Sequence, residues 1–174
     1  NPFYAFIWAI LRPLILWLFP VEIQGRENLP DEPVVLCANH SSAWDPVLIV
    51  CALADDVPLR IMAKQQLFRI PVVGGFIRYM GAFPVDRGNS DIGAIKTAIK
   101  SLKDGISLLI FPEGTREKDG KLLPPKSGLF VIAAGAGVDV VPCRILYDTP
   151  DGKMHLFCRV RVIYGEPMPA AQFA

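Results

Sequence analysis

The chain contains 174 residues, 52% of them hydrophobic, and its formal net charge is +1. A chain of this length most simply forms one domain, which can bury about 70% of its unfolded surface without disulfides or metal sites. The nearly balanced charge and the lack of a nucleic-acid-binding motif in the sequence argue against nucleic acid as a partner.

The first 21 residues form an apolar segment that is interrupted once, at Arg12 and Pro13. About 20 apolar residues are borderline for crossing a membrane, and a central Arg costs about 2.5–3.5 kcal/mol on insertion scales. Proline also favours a kink. We therefore expect residues 1–21 to form two short apolar helices that associate with a membrane and lie in its interface with water. The alternatives are a single crossing and a hairpin buried on the core. Residues 22–174 are expected to form the globular domain.

From residue 34 onwards, short apolar runs alternate with helical patterns. Strands are predicted at 34–38, 60–63, 82–85, 107–111, 138–145 and 156–163. Helices are predicted at 47–54, at 72–80, between Ser90 as a cap and Gly105 as a stop, and at 128–136. This alternation predicts an α/β fold with a mixed, largely parallel central sheet flanked by helices and an antiparallel C-terminal pair.

The four cysteines lie in apolar runs and have no C-x-x-C spacing. We expect them to be reduced core residues of a domain that faces the cytosol. Cys37 lies three residues before His40, so a Cys–His nucleophile pair is the alternative to a core role there. Two histidines and scattered carboxylates give no metal-ligand spacing, and the sequence contains no nucleotide-cofactor fingerprint.

The first candidate site is the run NHSSAWDP at 39–46, just after a predicted strand. Histidine is the side chain suited to proton transfer near neutral pH, so His40 can take a proton from a hydroxyl. Asp45 can hold one ring nitrogen of His40, as the acid of a Ser-His-Asp triad does. The sequence has no G-x-S-x-G elbow, so we expect the substrate to supply the nucleophilic hydroxyl. The alternatives are that Asp45 only caps the following helix and that His40 bonds to backbone.

The second candidate site is the run EGTR at 113–116, also just after a predicted strand, where ligands gather in such sheets. Gly114 allows close backbone approach, and Arg116 can grip a phosphate with two hydrogen bonds. Arg87 could add a second cation. Residues 59–130 contain twelve Lys/Arg and six Asp/Glu, which favours a phosphate-bearing ligand or an anionic membrane surface. The alternatives are surface ion pairs for the two arginines and an ordinary solvated surface for the lysines.

These motifs, in this order, resemble those of the glycerolipid acyltransferase family, whose best-known members are the 1-acylglycerol-3-phosphate acyltransferases. The resemblance extends from about residue 22 to 168. It rests on NHSSAWDP at 39–46, AKQQLF at 63–68, GAFPVDR at 81–87, FPEGTR at 111–116, KSG at 126–128 and VVP at 140–142. It implies transfer of a fatty acyl group to a glycerol hydroxyl from a thioester co-substrate, acyl-CoA or the acyl carrier protein, without a cofactor.

The resemblance also implies substrates and residue roles. Lysophosphatidic acid is the implied acceptor, with glycerol-3-phosphate, a lysophospholipid or an aminoacyl lipid as alternatives, and a non-catalytic lipid-binding module remains the third hypothesis. His40 is the implied general base and Asp45 its orienting partner. The implied substrate-binding residues are Arg87, Glu113, Gly114, Thr115 and Arg116, with Lys64 and Lys126 as additional candidates. A membrane-associated protein with its active site on the cytoplasmic side is expected.

Overall fold

The computed structural model describes residues 2–53, 57–86, 91–116 and 124–173. Its strands are β1 (Val21–Gln24), β2 (Val35–Ala38), β3 (Leu59–Lys64), β4 (Ala82–Val85), β5 (Ser107–Ile110), β6 (Val140–Tyr147) and β7 (Val160–Tyr164). Its α-helices are α1 (Pro2–Leu18), α2 (Asp45–Leu53), α3 (Val73–Tyr79), α4 (Ile92–Lys103) and α5 (Gly128–Ala136).

The seven strands form one sheet in the order β1-β7-β6-β2-β5-β3-β4. Neighbouring strands are parallel except for β6 and β7, which are antiparallel. The predicted α/β fold with a mixed, largely parallel sheet is therefore confirmed. The edge strand β1 was not predicted, because it is only four residues long and carries Glu22 and Gln24 on a half-exposed surface.

The sheet separates two apolar cores, because successive side chains of a strand point to opposite faces. Leu36 of β2 packs in the core that includes residues of α1 and α2, whereas its neighbour Val35 packs in the core formed with α4 and α5. Helices thus cover both faces of the sheet. A strand buried on both faces is mostly apolar, which is why β2 and residues 108–110 of β5 are continuous hydrophobic runs.

The N-terminal segment forms one continuous helix, so the prediction of two short helices within residues 1–21 is wrong. Pro13 lies inside α1 and lacks the backbone N–H that an interior residue normally donates. Trp8 before the proline and Leu16 after it both pack against the core, so tertiary contacts hold the two halves in line. In the part of the chain that the structure describes, no helix has the length and apolar character needed to cross a bilayer.

Several element boundaries differ from the predictions, most of them by one or two residues, and the structure gives a physical cause for the start of α4 and of β7. Asp91 caps α4, its carboxylate accepting a hydrogen bond from the Ala94 N–H at 2.9 Å; the predicted cap, Ser90, lies outside the described residues. Strand β7 begins at Val160 rather than at residue 156. The cause is Phe157, whose φ of 63° is left-handed and incompatible with an extended strand.

Candidate active site

Asn39 extends the pairing of β2 with β6 by one position. Its side-chain nitrogen donates to the Ile145 carbonyl oxygen at 3.1 Å, and its side-chain oxygen accepts from the Ile145 N–H at 2.8 Å. A side-chain amide thus takes the place of a backbone amide in the ladder. The chain leaves the sheet at a fixed point immediately before His40.

His40 and Asp45 meet across the turn between β2 and α2. The Nδ1 atom of His40 lies 3.0 Å from Oδ2 of Asp45. The Asp45 side chain is fully buried, and that of His40 is 11% exposed. Because a carboxylate accepts hydrogen bonds, Nδ1 carries the ring proton and Nε2 is left as the basic nitrogen.

The carboxylate of Asp45 is held by groups outside its own helix. Its Oδ2 also accepts from the backbone N–H groups of Ser41 and Ser42, each at 2.7 Å, while Oδ1 accepts from the hydroxyl of Tyr147. The carboxylate therefore does not bond to the first turn of α2, and the helix-capping alternative for Asp45 is wrong. Together with His40, these hydrogen-bond donors offset the energetic cost of burying the Asp45 charge completely.

Tyr147 is the site residue that sequence reasoning missed. It lies at the end of β6, is 5% exposed, and contacts a residue 102 positions earlier in the chain. Burial, followed by the charge of Asp45, raises its pKa well above the usual range, so the hydroxyl stays protonated and donates. The only signal in the sequence is a tyrosine in an apolar strand, because a buried tyrosine hydroxyl usually has a partner.

The two motifs that follow β2 and β5 lie together because these strands are adjacent and parallel. The buried Glu113 accepts a hydrogen bond from the backbone N–H of His40 through Oε1 at 3.3 Å. The ring of Phe111 lies against the His40 ring, with their centroids 4.3 Å apart. Glu113 thus connects the second motif to the first, and its predicted contact with substrate stays a prediction.

His40 lines an apolar pocket of about 340 Å³. Three of the predicted binding residues, Lys64, Thr115 and Arg116, line the same pocket. The apolar part of its wall is formed by residues of α2, β3, α3 and β4 and of the segments beside them, among them Val47, Ile61, Ala63, Ile77, Met80 and Ala82. Such an apolar wall suits a hydrocarbon chain.

Gly114 and Lys126 lie side by side in a neighbouring pocket of about 570 Å³ that shares Phe111 with the apolar pocket. Gly114 has a φ of +70°, and a Cβ there would come within 2.8 Å of the Lys126 Nζ atom. The backbone conformation therefore favours glycine, and a Cβ at this position would displace the flexible end of the Lys126 side chain. Arg87, the remaining predicted binding residue, lies outside the described residues.

Cys37 does not suit the role of a nucleophile. Burial, and then the nearby charge of Glu113, raise its pKa to about 11. Its thiol is therefore protonated at neutral pH, and the thiolate is the form that attacks. It packs at the edge of the core formed with α4 and α5, which supports the core role expected for it.

The chain is similar to known proteins in sequence. The sequence model described as Acyltransferase matches residues 20–146. A 1-acyl-sn-glycerol-3-phosphate acyltransferase of Bacillus subtilis is 34% identical over 174 residues, which cover 98% of this chain and 85% of that protein. The chloroplastic 1-acyl-sn-glycerol-3-phosphate acyltransferase BAT2 of Brassica napus is 39% identical over 150 residues, 84% of this chain. This chain spans about two fifths of the length of such chloroplastic relatives.

The similarity extends to a solved structure, the 1-acyl-sn-glycerophosphate acyltransferase PlsC from Thermotoga maritima. The two structures agree with a TM-score of 0.71 at 27% sequence identity. The match covers 98% of this chain and 72% of that one. The fold described above is therefore shared over nearly the whole chain.

Proposed function

Because this chain belongs to the acyltransferase family, we propose that it transfers a fatty acyl group from a thioester to the free hydroxyl of 1-acyl-sn-glycerol 3-phosphate, giving phosphatidic acid. The observation that carries the proposal is the hydrogen bond between His40 Nδ1 and Asp45 Oδ2 beside an apolar pocket. The names of the relatives in Bacillus subtilis and Thermotoga maritima support the choice of acceptor.

In the proposed reaction, Nε2 of His40 takes the proton of the acceptor hydroxyl. The hydroxyl oxygen then bonds to the thioester carbonyl carbon, forming a tetrahedral oxyanion. Collapse of this intermediate breaks the carbon–sulfur bond, and the leaving thiolate receives the proton from the imidazolium. The products are an ester and a free thiol. Asp45 stabilises the imidazolium while it exists, and general-base catalysis of this kind contributes about 10²–10⁴-fold.

The acceptor itself suggests where its phosphate binds. In 1-acyl-sn-glycerol 3-phosphate, the carbon with the free hydroxyl is bonded to the carbon that carries the phosphate ester, so the phosphate must lie near His40. Lys64 and Arg116 line the same pocket as His40 and suit this anion. Arg87, Glu113, Gly114, Thr115 and Lys126 remain in the proposed binding set because they lie in the family motifs.

We further propose that α1 associates with a lipid bilayer and that the active site is on the cytoplasmic side. Exposed apolar side chains recur at helical spacing along α1, at Phe3, Phe6, Ile10, Leu14 and Trp17. A contiguous apolar stripe on a helix surface is typical of a segment that lies in the membrane interface. Membrane association would also give the enzyme access to lipid substrates.

The proposal is tested by measuring thiol release from a long-chain acyl-CoA in detergent micelles, with and without lysophosphatidic acid. We expect release that requires both the acceptor and His40. A matched monoacylglycerol, which has no phosphate, tests the acceptor assignment and should be a poor substrate. Equal turnover of both acceptors would contradict a phosphate-bearing acceptor. Membrane binding without thiol release from acyl-CoA or acyl carrier protein, for any acceptor, would instead favour a lipid-binding module.

A further inference from the structure

A polar pocket adjoins the apolar pocket that contains His40. It is a pocket of about 690 Å³ that we call the cationic pocket, lined by Ser41, Ser42, Arg116, Arg144 and Lys153 together with neighbouring residues of β6 and the β6–β7 connection. Ala43 and Arg116 line both pockets, so the two meet beside the His40 loop. His40 itself is not part of the cationic pocket wall.

The charge of this pocket favours an anionic ligand. Three of its lining residues are cationic, and one, Asp151, is acidic. Both carboxylate oxygens of Asp151 lie 3.0 Å from Nε2 of His155, and the His155 hydrogen bond lowers the pKa of Asp151 to about 2. The one acid is thus engaged within its own loop. Among the described residues, no carboxylate forms an ion pair with Arg144 or Lys153.

The covalent structures of the two substrates indicate which of their phosphates could bind in the cationic pocket. The acceptor's phosphate is attached one carbon away from the reacting hydroxyl, so it must share the pocket of His40. A thioester donor has its phosphate at the far end of the pantetheine arm, well away from the reacting carbonyl. A phosphate in a pocket that adjoins the His40 pocket without containing His40 therefore fits the donor.

We propose that the cationic pocket binds the phosphate of the 4′-phosphopantetheine arm that coenzyme A and acyl carrier protein share, with Arg144 and Lys153 as its ligands. This assignment rests on the proposed acyltransferase function. The arm passes Ser42 and Ala43, the thioester reaches His40, and the acyl chain enters the apolar pocket. The Ser41 side chain in the pocket wall suits the amides of the arm.

The test uses the double variant Arg144→Ala/Lys153→Ala, because Arg116 lines both pockets and cannot separate them. The control is Arg60→Ala/Lys96→Ala, which removes the same two residue types from exposed positions on β3 and α4. Donor KM is measured with acyl-CoA, S-acyl-4′-phosphopantetheine and S-acyl-pantetheine. Loss of two exposed charge-assisted contacts should raise KM about tenfold for the two phosphorylated donors. KM for S-acyl-pantetheine and for lysophosphatidic acid should stay unchanged.

A KM for acyl-CoA that is equal in the two double variants would overturn the assignment. So would a rise for the acceptor instead of the donor. Acyl carrier protein carries the same phosphate, so the double variant should raise the donor KM for acyl carrier protein as well. Binding of unacylated coenzyme A by calorimetry is independent of catalysis. If the wild type released no thiol, the proposed function would fail, while weaker coenzyme A binding by the double variant alone would still support the site.

Discussion

The hydroxyl of Tyr147 donates a hydrogen bond to Oδ1 of Asp45, the carboxylate whose other oxygen is bound by the His40 ring. A residue of the neighbouring strand β6, 102 positions later in the chain, thus completes the environment of an acid that follows β2. The contact couples β6 to the turn that carries His40. The Tyr147 hydroxyl reaches the His40 ring through Asp45, so Tyr147 is a positioning residue.

Tyr147→Phe removes this donor and leaves the rest of the side chain in place. A hydrogen bond to a charged group is worth about 1.5–3 kcal/mol, so kcat should fall about tenfold or more. With one donor fewer, the Asp45 carboxylate attracts the imidazolium more strongly. We therefore expect the acid limb of the pH–rate profile to move to higher pH, which a purely structural role would not produce.

Tyr164→Phe is the matched control for Tyr147→Phe. Tyr164 lies on the neighbouring strand β7 and is buried, and its hydroxyl has no hydrogen-bond partner within the described part of the chain. This variant should keep the wild-type kcat and pH–rate profile. Identical effects of the two substitutions would contradict the positioning role of Tyr147.

His40→Ala should lower turnover by at least about 10²–10⁴-fold, because it removes the general base. Circular dichroism and thermal unfolding should show that the protein remains folded. His155→Ala is the control, since this exposed histidine is paired with Asp151, outside the proposed catalytic set; its kcat at saturating donor should be near that of the wild type. Near-normal turnover of His40→Ala would rule out the proposed mechanism.

Gly114→Ala should affect both stability and acceptor binding. A non-glycine residue in the left-handed region costs about 1–2 kcal/mol, and the new Cβ would displace the Lys126 ammonium that lies 2.8 Å away. Gly137→Ala is a control at the same φ of +70° with nothing within 4 Å of its Cβ. Urea unfolding should show similar losses of stability for both, but only Gly114→Ala should raise KM for the acceptor. Unchanged KM in both variants would remove Lys126 from the binding set.

Buried thiols should make the protein less stable at alkaline pH. Burial raises the pKa of Cys51 to about 11 and that of Cys143 to about 12, from an ordinary value of 9.0. Above pH 9 the unfolded chain loses these protons first, so the free energy of unfolding falls as pH rises towards 11. Each thiol contributes on the order of 1 kcal/mol per pH unit. Urea titrations from pH 8 to 11 should show this slope, and Cys51→Ala should reduce it; an equal slope in both would contradict the assignment.

Local patterns were enough to predict much of the fold. The helix predicted at 128–136 is observed as Gly128–Ala136, because glycines bound a continuous apolar run. The strands that became β2 and β5 were predicted because strands buried on both faces are recognisable by composition. In contrast, α1 continues through Pro13 because core contacts on either side of the proline outweigh its local cost, and no window of sequence contains those contacts.

The candidate site, like the fold, was predicted from the sequence only in part. The residues within NHSSAWDP predicted that His40 and Asp45 could pair, and the predicted strands before NHSSAWDP and EGTR predicted that both runs lie where strands end. Only the tertiary structure decided that Tyr147 completes the Asp45 environment and that the Glu113 carboxylate bonds to the His40 backbone. Only the tertiary structure brought Arg144 and Lys153 to a pocket beside the catalytic loop. The physical reason is that spacing along the chain fixes contacts within a turn, whereas contacts between residues about a hundred positions apart depend on which strands become neighbours in the sheet.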